Sequence, residues 1–152
     1  MRPFLHLFAL TLTGCLAAPA MAEKWYEAGT SEIEIAFADR DSIERDGKLV
    51  EIAVFHGFEY GQGQGSEILY ARRGLQFDCN ERKVRQVALD VFGAEHAPLG
   101  PRTFDMEWAE IEADTSDDAF SKLACGGKPK EKPHKDPFAA SDAYWDQVYA
   151  AP

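Results

Sequence analysis

Residues 25 to 55 alternate apolar and polar positions with a period of two. The alternation is clearest in Ile33-x-Ile35-x-Phe37 and in Val50-x-Ile52-x-Val54. Because successive side chains of a strand point to opposite faces, this pattern predicts strands with one face inward and the other in water. Asp46-Gly47 lies between two such runs, and the dipeptide favours a tight hairpin because glycine accepts a positive φ. Antiparallel pairing across residues 46 and 47 is therefore predicted.

A second pair of strands is predicted after a glycine-rich connection. Gly61, Gly63 and Gly65 alternate with glutamines, and this composition is typical of a loop. Residues 68–79 and 84–92 are rich in β-favouring side chains, and Asn80-Glu81 separates them at a natural turn. We expect another hairpin there.

A short helix is predicted near residue 116. Thr115-Ser116-Asp117-Asp118 supplies hydroxyl and carboxylate oxygens that satisfy the free amides of a helix start. Phe120, Leu123 and Ala124 then recur at helical spacing, and Gly126-Gly127 marks the end. The chain is thus expected to have an α+β fold, a small antiparallel β-sheet with a short C-terminal helix packed on it.

Residues 127–152 differ in composition from the domain predicted over 23–126. Lysine and proline dominate residues 128–135, so we expect a disordered linker there. Ser141 is predicted to cap a last helical turn beyond it. The aromatic tail either packs on its own domain or forms a recognition motif for a protein partner. Its candidate partner-binding residues are Phe138, Tyr144, Trp145, Val148 and Tyr149.

The start of the chain predicts export. Arg2 precedes an apolar run from Phe4 to Leu16, and Ala20-Met21-Ala22 fits the small-x-small pattern of signal peptidase sites. Residues 1–22 are therefore interpreted as a signal peptide, and the mature chain is expected to be periplasmic, secreted or on the cell surface. The alternative is a lipobox at Leu12-Thr13-Gly14-Cys15, which would place a lipid anchor on Cys15.

Charge and cysteine count narrow the possible partners. The chain has 26 acidic and 16 basic residues, a formal net charge of −10. This charge repels phosphate groups, so we expect no nucleic-acid partner. With Cys15 removed, Cys79 and Cys125 remain, and an isolated pair in an exported protein most often forms a disulfide. Two free buried thiols are the alternative.

Several spaced anchors between residues 24 and 126 together resemble the surface-adhesin protein E family. These anchors are Trp25, Asp41-Ser42-Ile43, Phe77-Asp78-Cys79, Arg82, Val84-Arg85, Trp108, Ser116 and Cys125. The resemblance implies a small α+β fold with an antiparallel sheet and a bridge between the two cysteines. It further implies an envelope or surface protein, in a family whose name-giving member is an adhesin that contacts host extracellular proteins.

The sequence supplies little that is typical of catalysis or of metal binding. His56, His96 and His134 are far apart and are expected to be exposed or at strand edges. No serine lies in a G-x-S-x-G elbow. We therefore expect a non-enzyme without a cofactor that acts through protein–protein contacts. The alternative is a periplasmic binding module for a small cationic ligand or a divalent metal.

An acidic patch is the main candidate for such a cation site. Its spacing lacks the central glycine of a calcium loop, so a solvated acidic face is the preferred interpretation. The patch consists of Glu107, Glu110, Glu112, Asp114, Asp117 and Asp118.

Overall fold

The computed structural model describes residues 23–59, 67–100 and 102–150. The predicted signal peptide, Cys15 and the loop at Gly61, Gly63 and Gly65 lie outside these residues. The strands are β1 (Trp25–Thr30), β2 (Glu34–Asp46), β3 (Leu49–Phe58), β4 (Tyr70–Asp78), β5 (Lys83–Phe92) and β6 (Ala109–Glu110). The helices are α1 (Ser116–Ala124) and α2 (Pro137–Ala150), and a short 3-10 turn spans Ala94–His96.

The six strands form one antiparallel sheet in which neighbours in sequence are neighbours in space. Asp46 pairs with Leu49 across the first predicted hairpin, and Gly47 has a φ of +59°. A positive φ is strained for residues with a Cβ, so glycine suits this turn. Asp78 pairs with Lys83 across the second predicted hairpin. Both hairpins are confirmed.

Asp78 organises the turn between β4 and β5. Its Oδ1 accepts hydrogen bonds from the amides of Asn80 and Glu81, each at 3.1 Å. Lys48, in the neighbouring hairpin, places its Nζ 2.8 Å from Asp78 Oδ2. The hydrogen bond from Lys48 is the main reason that the pKa of Asp78 lies below its ordinary value. One carboxylate therefore joins two adjacent turns.

The sheet is buried on both faces where β2, β3 and β4 meet, so the prediction of one face in water is wrong there. All residues from Ile35 to Asp39 are buried. The core under α1 includes Ala38, Ile52, Val54, Leu75, Phe77 and Phe120. The core under α2 includes Trp25, Phe37, Phe55, Tyr70 and Trp145. Alternation along the strands is retained, but each set of side chains has a helix to pack against.

Helix α1 begins and ends as predicted. The Thr115 hydroxyl accepts a hydrogen bond from the amide of Asp118 at 3.2 Å, which caps the helix. Gly126, with a φ of +116°, follows its end. Cys79 and Cys125 form a disulfide that joins the end of β4 to the end of α1 over a sequence separation of 46. The predicted bridge and the α+β fold are confirmed.

The segment after α1 crosses the edge of the sheet. The amide of Trp25 donates to the carbonyl of His134 at 3.0 Å, and the amide of His134 donates to the carbonyl of Trp25 at 2.7 Å. The disorder expected for residues 128–135 therefore does not describe His134, because a backbone partner is available at the start of β1.

Helix α2 is longer than predicted. It begins at Pro137, a favoured first position because proline has no amide hydrogen to satisfy. Oδ1 of Asp136 accepts from the amides of Phe138 at 2.9 Å and Ala139 at 3.4 Å. Asp136 therefore caps the helix. Ser141, the predicted cap, is buried inside it.

Candidate partner-binding surface

Phe138 attaches the first turn of α2 to the sheet. Its ring centroid lies 4.7 Å from that of Phe55, 5.1 Å from that of Tyr70 and 5.1 Å from that of Phe92. The exposed ring of His96 covers it from outside, at a centroid distance of 4.5 Å. Edge-on arrangements of this kind are favourable for aromatic pairs. Phe138 therefore serves mainly to pack α2 against the sheet.

The middle of α2 approaches the sheet closely at Gly57. A Cβ added to Gly57 would lie 1.8 Å from Oγ of Ser141 and 2.7 Å from its Cβ, far inside contact distance. Trp145 lies one turn further along the helix and is only 2 % exposed. The two buried positions show that the helix docks on its own domain, the first of the two alternatives for the tail.

The last turn of α2 remains at the surface. Every residue from Asp146 to Ala150 is exposed, and Val148 and Tyr149 are 44 % and 52 % exposed. The hydroxyl of Tyr149 donates to Glu59 at 2.9 Å, and the amide of Glu59 donates to the carbonyl of Ile33 at 3.0 Å. Ile33 is itself 52 % exposed. We call Ile33, Val148 and Tyr149 the α2 end patch.

The five tail residues predicted from sequence thus separate into two groups. Trp145 is buried, and Phe138 and Tyr144 are half-buried against the second core. Val148 and Tyr149 are exposed. Helical spacing alone places Trp145, Val148 and Tyr149 on a shared side. Only the tertiary structure distinguishes them, because exposure begins at the turn after Trp145.

Trp108 is a second exposed aromatic residue, and the sequence did not indicate it as a binding site. Trp108 is 37 % exposed, and the guanidinium of Arg85 lies over its ring at 4.8 Å from the centroid. Met106, two residues earlier, is 54 % exposed. The sequence contained one indication of this feature, a tryptophan just before the short strand β6. The cation–π contact already gives the Trp108 ring a partner within the chain.

His56 is buried, so its expected exposed position is wrong. It lies on β3 under α1 and is 4 % exposed. Its Nδ1 lies 3.1 Å from Oε2 of Glu34, and the hydroxyl of Ser116 donates to Oε1 of the same carboxylate. The hydrogen bond to His56 is the main reason that the pKa of Glu34 is lowered.

Ser116, His56 and Glu34 are the residue types of a hydrolase triad, but their hydrogen bonds run in a different order. In a triad the histidine lies between the serine and the carboxylate, where it removes the hydroxyl proton. Here Glu34 lies between Ser116 and His56. The other ring nitrogen of His56 is 3.4 Å from Nη1 of Arg73, which also contacts Asp117 at 3.5 Å. The arrangement therefore attaches the start of α1 to the sheet rather than activating Ser116.

The acidic patch is only partly a solvated face. Asp118 is buried and accepts hydrogen bonds from Lys122 at 2.6 Å and Arg82 at 3.1 Å. The lysine first, and then the arginine, lower the pKa of Asp118 to about 2. Glu107, Glu110 and Glu112 are exposed. Within residues 23–59, 67–100 and 102–150, no group of three possible metal ligands converges.

A groove of about 770 Å³ lies between β1, the start of α1 and the segment from Lys128 to Glu131. Glu27 to Ser31 form one wall. Glu34 and Ser116 also line this groove. The sequence did not predict it, because its walls lie about a hundred residues apart.

None of the helices in the described part of the chain combines the length and apolar character needed to cross a membrane. Among curated proteins, none matches the chain.

Solved structures of Haemophilus influenzae protein E are similar to part of the chain. A crystal form II structure has 15 % identity and a TM-score of 0.46, covering 59 % of this chain and 79 % of the other. The selenomethionine form has 13 % identity and a TM-score of 0.46, covering 69 % and 95 %. A structure of protein E from non-typeable Haemophilus influenzae has 15 % identity and a TM-score of 0.46, covering 72 % of this chain and 81 % of the other.

A family model matches the sheet, α1 and the disulfide. The model of surface-adhesin protein E matches residues 25–126, which include all six strands, α1 and the disulfide. These are the elements on which the sequence resemblance depends. The chain therefore belongs to the surface-adhesin protein E family.

Proposed function

We propose that the mature chain is a non-catalytic protein of the bacterial envelope or cell surface that acts through protein–protein contacts. The observation that carries this proposal is the family match over residues 25–126, since the family is one of surface adhesins. Export by the sequence at residues 1–22 is consistent with that location. We place the protein in the periplasm, at the surface or outside the cell, with Cys15 as a less favoured lipid anchor.

The α2 end patch is the contact surface that we assign to this function. Val148 and Tyr149 are exposed at the end of α2, while Phe138, Tyr144 and Trp145 pack inward. Tyr149 is joined through Glu59 to Ile33, which is also exposed. Exposed aromatic residues on a fixed helix present contact area with little loss of side-chain freedom on binding. A helix already docked on its domain is also preorganised for a partner.

An adhesion assay tests both parts of the proposal. Beads that carry the purified mature protein are added to epithelial monolayers and to immobilised envelope extract, and the adherent beads are counted. We expect the variant Val148→Ser with Tyr149→Ser to reduce adherence several-fold, because it removes the apolar contact area. The matched control is Met106→Ser, which removes an equally exposed apolar side chain elsewhere.

One result would contradict the adhesive function, and another would contradict only the surface assigned to it. If unmodified protein adheres no better than albumin-coated beads on both surfaces, the adhesive function is wrong. If both variants adhere as well as the unmodified protein, adhesion is retained but the α2 end patch is not its surface. Thermal unfolding of each variant shows that the fold is unchanged.

A further inference from the structure

Among the residues that the structure describes, the outer edge of β1 is paired at one position, Trp25. Trp25 exchanges two backbone hydrogen bonds with His134, as an antiparallel pair does. Past this pair, from Glu27 to Thr30, no strand of the described chain lies on the outer side of β1. An open edge presents unpaired amides and carbonyls to any extended chain that approaches it.

The neighbouring segment contains two prolines and does not continue the pairing with β1 past His134. In the register set by Trp25 and His134, Pro133 would lie opposite Tyr26 and Pro129 opposite Thr30. Proline fixes its own φ at about −65°, away from the φ of about −140° that is typical of an antiparallel strand. An irregularity between Glu27 and Gly29 also bends β1 at this point. The two chains therefore separate instead of forming a seventh strand.

The space between them is the groove of about 770 Å³ described above. Glu27 to Thr30 of β1 and the following Ser31 line it on one side, and Ala119 and Leu123 of α1 also line it. A Cβ added to Gly29 would have no atom within 4 Å, so the face of the sheet is open at this residue. The groove therefore combines a strand edge with an apolar lining from the helix.

The charges in the groove favour a basic occupant. Five acidic and three basic side chains line it. Asp118 and Lys122 pair with each other at 2.6 Å, and the four acidic side chains that remain outnumber Lys128 and Lys130 by two. Glu27, Asp114 and Glu131 are among these four. The whole chain carries a net charge of −10, which also attracts cationic segments.

From this geometry we infer that the β1 groove accepts an extended, lysine- or arginine-bearing segment of a partner protein, which adds to the sheet as a strand. Backbone hydrogen bonds to Glu27–Thr30 hold the segment, one set of its alternate side chains faces α1, and its cationic groups face the groove carboxylates. The inference deepens the proposed protein-binding function and depends on it, but it uses a surface separate from the α2 end patch.

A peptide panel tests the inference on the full mature protein with its disulfide intact. Capped octapeptides alternate valine with lysine, arginine, glutamate or serine, and binding is followed by the amide chemical shifts of the labelled protein. We expect saturable binding of the lysine and arginine peptides, with the largest shifts at Glu27–Thr30. The glutamate peptide is expected to bind at least tenfold more weakly.

N-methylation of the peptide distinguishes strand addition from side-chain docking. Methyl groups on alternate amides block one edge of an extended peptide, and shifting them by one residue blocks the other edge. Strand addition predicts about a tenfold loss of affinity for one methylation pattern and little change for the other. Docking through side chains alone predicts no difference between the two patterns.

Protein variants test the charge assignment. Glu27→Lys and Glu131→Lys are each expected to weaken the lysine peptide several-fold, while Glu107→Lys, which makes the same charge change outside the groove, has a smaller effect. The inference is overturned if no panel peptide binds up to millimolar concentration, if shifts lie away from β1, or if acidic and basic peptides bind equally. None of these results affects bead adherence through the α2 end patch, so failure here and failure of the proposed function are distinguishable.

Discussion

Gly57 is the residue on which the position of α2 most directly depends. The Ser141 side chain occupies the space where a Cβ of residue 57 would lie. Among the described residues, the Ser141 hydroxyl has no hydrogen-bond partner. Close packing, rather than a polar contact, is therefore what this serine contributes to the interface between helix and sheet.

We expect Gly57→Ala to destabilise the protein by about 1–3 kcal/mol, the usual effect of forcing extra atoms into a packed core. The added methyl group would displace α2 and expose Trp145. Urea unfolding measures the free energy, and the emission spectrum of the tryptophans reports the exposure.

Two further variants show whether the contact with Ser141 is responsible. Gly29→Ala places its methyl group in open space and should change stability by much less. Adding Ser141→Gly to Gly57→Ala removes the clashing atoms, so the double variant should lose less than the sum of the single losses. Equal effects of Gly57→Ala and Gly29→Ala would contradict the role of the contact.

His56 illustrates what could not be read from the sequence at the scale of single residues. Its partners Glu34 and Arg73 are distant along the chain, and Ser116 is further still. Local sequence identified Ser116 as part of a helix start, and this was correct. It contained no information that β3 and α1 bring His56 and Ser116 to the carboxylate of Glu34 on β2.

At the scale of elements, α1 is held by contacts of three kinds. Thr115 caps it, Glu34 contacts Ser116 in its first turn, and the disulfide joins its end to β4. Phe120 on its inner face is fully buried in the first core. A nine-residue helix is too short to be stable alone in water, so these contacts provide most of its stability.

Removing the disulfide should therefore weaken the whole domain. For a separation of 46 residues the chain-entropy treatment gives a loss of about 4 kcal/mol. We expect Cys79→Ser with Cys125→Ser to lower the urea midpoint of the mature protein accordingly. A reducing agent should lower the midpoint of the unmodified protein and have no effect on the double variant. Equal midpoints for the two proteins would contradict the role of the bridge.

The elements that were predicted correctly are those whose turn or cap residues lie within a few positions of the element itself. Both hairpins and α1 were predicted, because Asp46-Gly47, Asn80-Glu81 and Thr115 act within a few residues. The start of α2 was placed too late, at Ser141. Asp136-Pro137 is an equally local start signal, but it lies next to a lysine- and proline-rich segment whose composition favoured disorder.

At the scale of the whole molecule, we expect acid to destabilise the fold by protonating a few specific carboxylates. The ordinary pKa of Asp118 is 3.8 and its pKa in the fold is about 2. The pKa values of Glu34 and Asp78 are also lowered in the fold. A lowered pKa means that the folded state favours the ionised form, so this stability is present above the unfolded pKa and is lost as pH falls toward the folded value.

We therefore expect the melting temperature to fall between about pH 4 and pH 2. Asp118→Asn removes one of the contributing carboxylates, so its melting temperature should be lower at neutral pH and should fall less over the same interval. Asp39, whose pKa is raised mainly by burial, acts in the opposite direction. Identical acid profiles for Asp118→Asn and the unmodified protein would contradict the assignment to Asp118.

The sequence by itself determined the strands β1 to β5, the two turns, α1 and its end, because each depends on side chains that act on their own backbone. The tertiary structure alone decided which faces of the sheet are buried, that α2 docks at Gly57, and that His56 lies inside. It also decided that the outer edge of β1 stays open beside the segment from Lys128 to Glu131. These features arise from contacts between distant parts of the chain, and such contacts exist only once the strands have assembled and the disulfide and helices have packed on them.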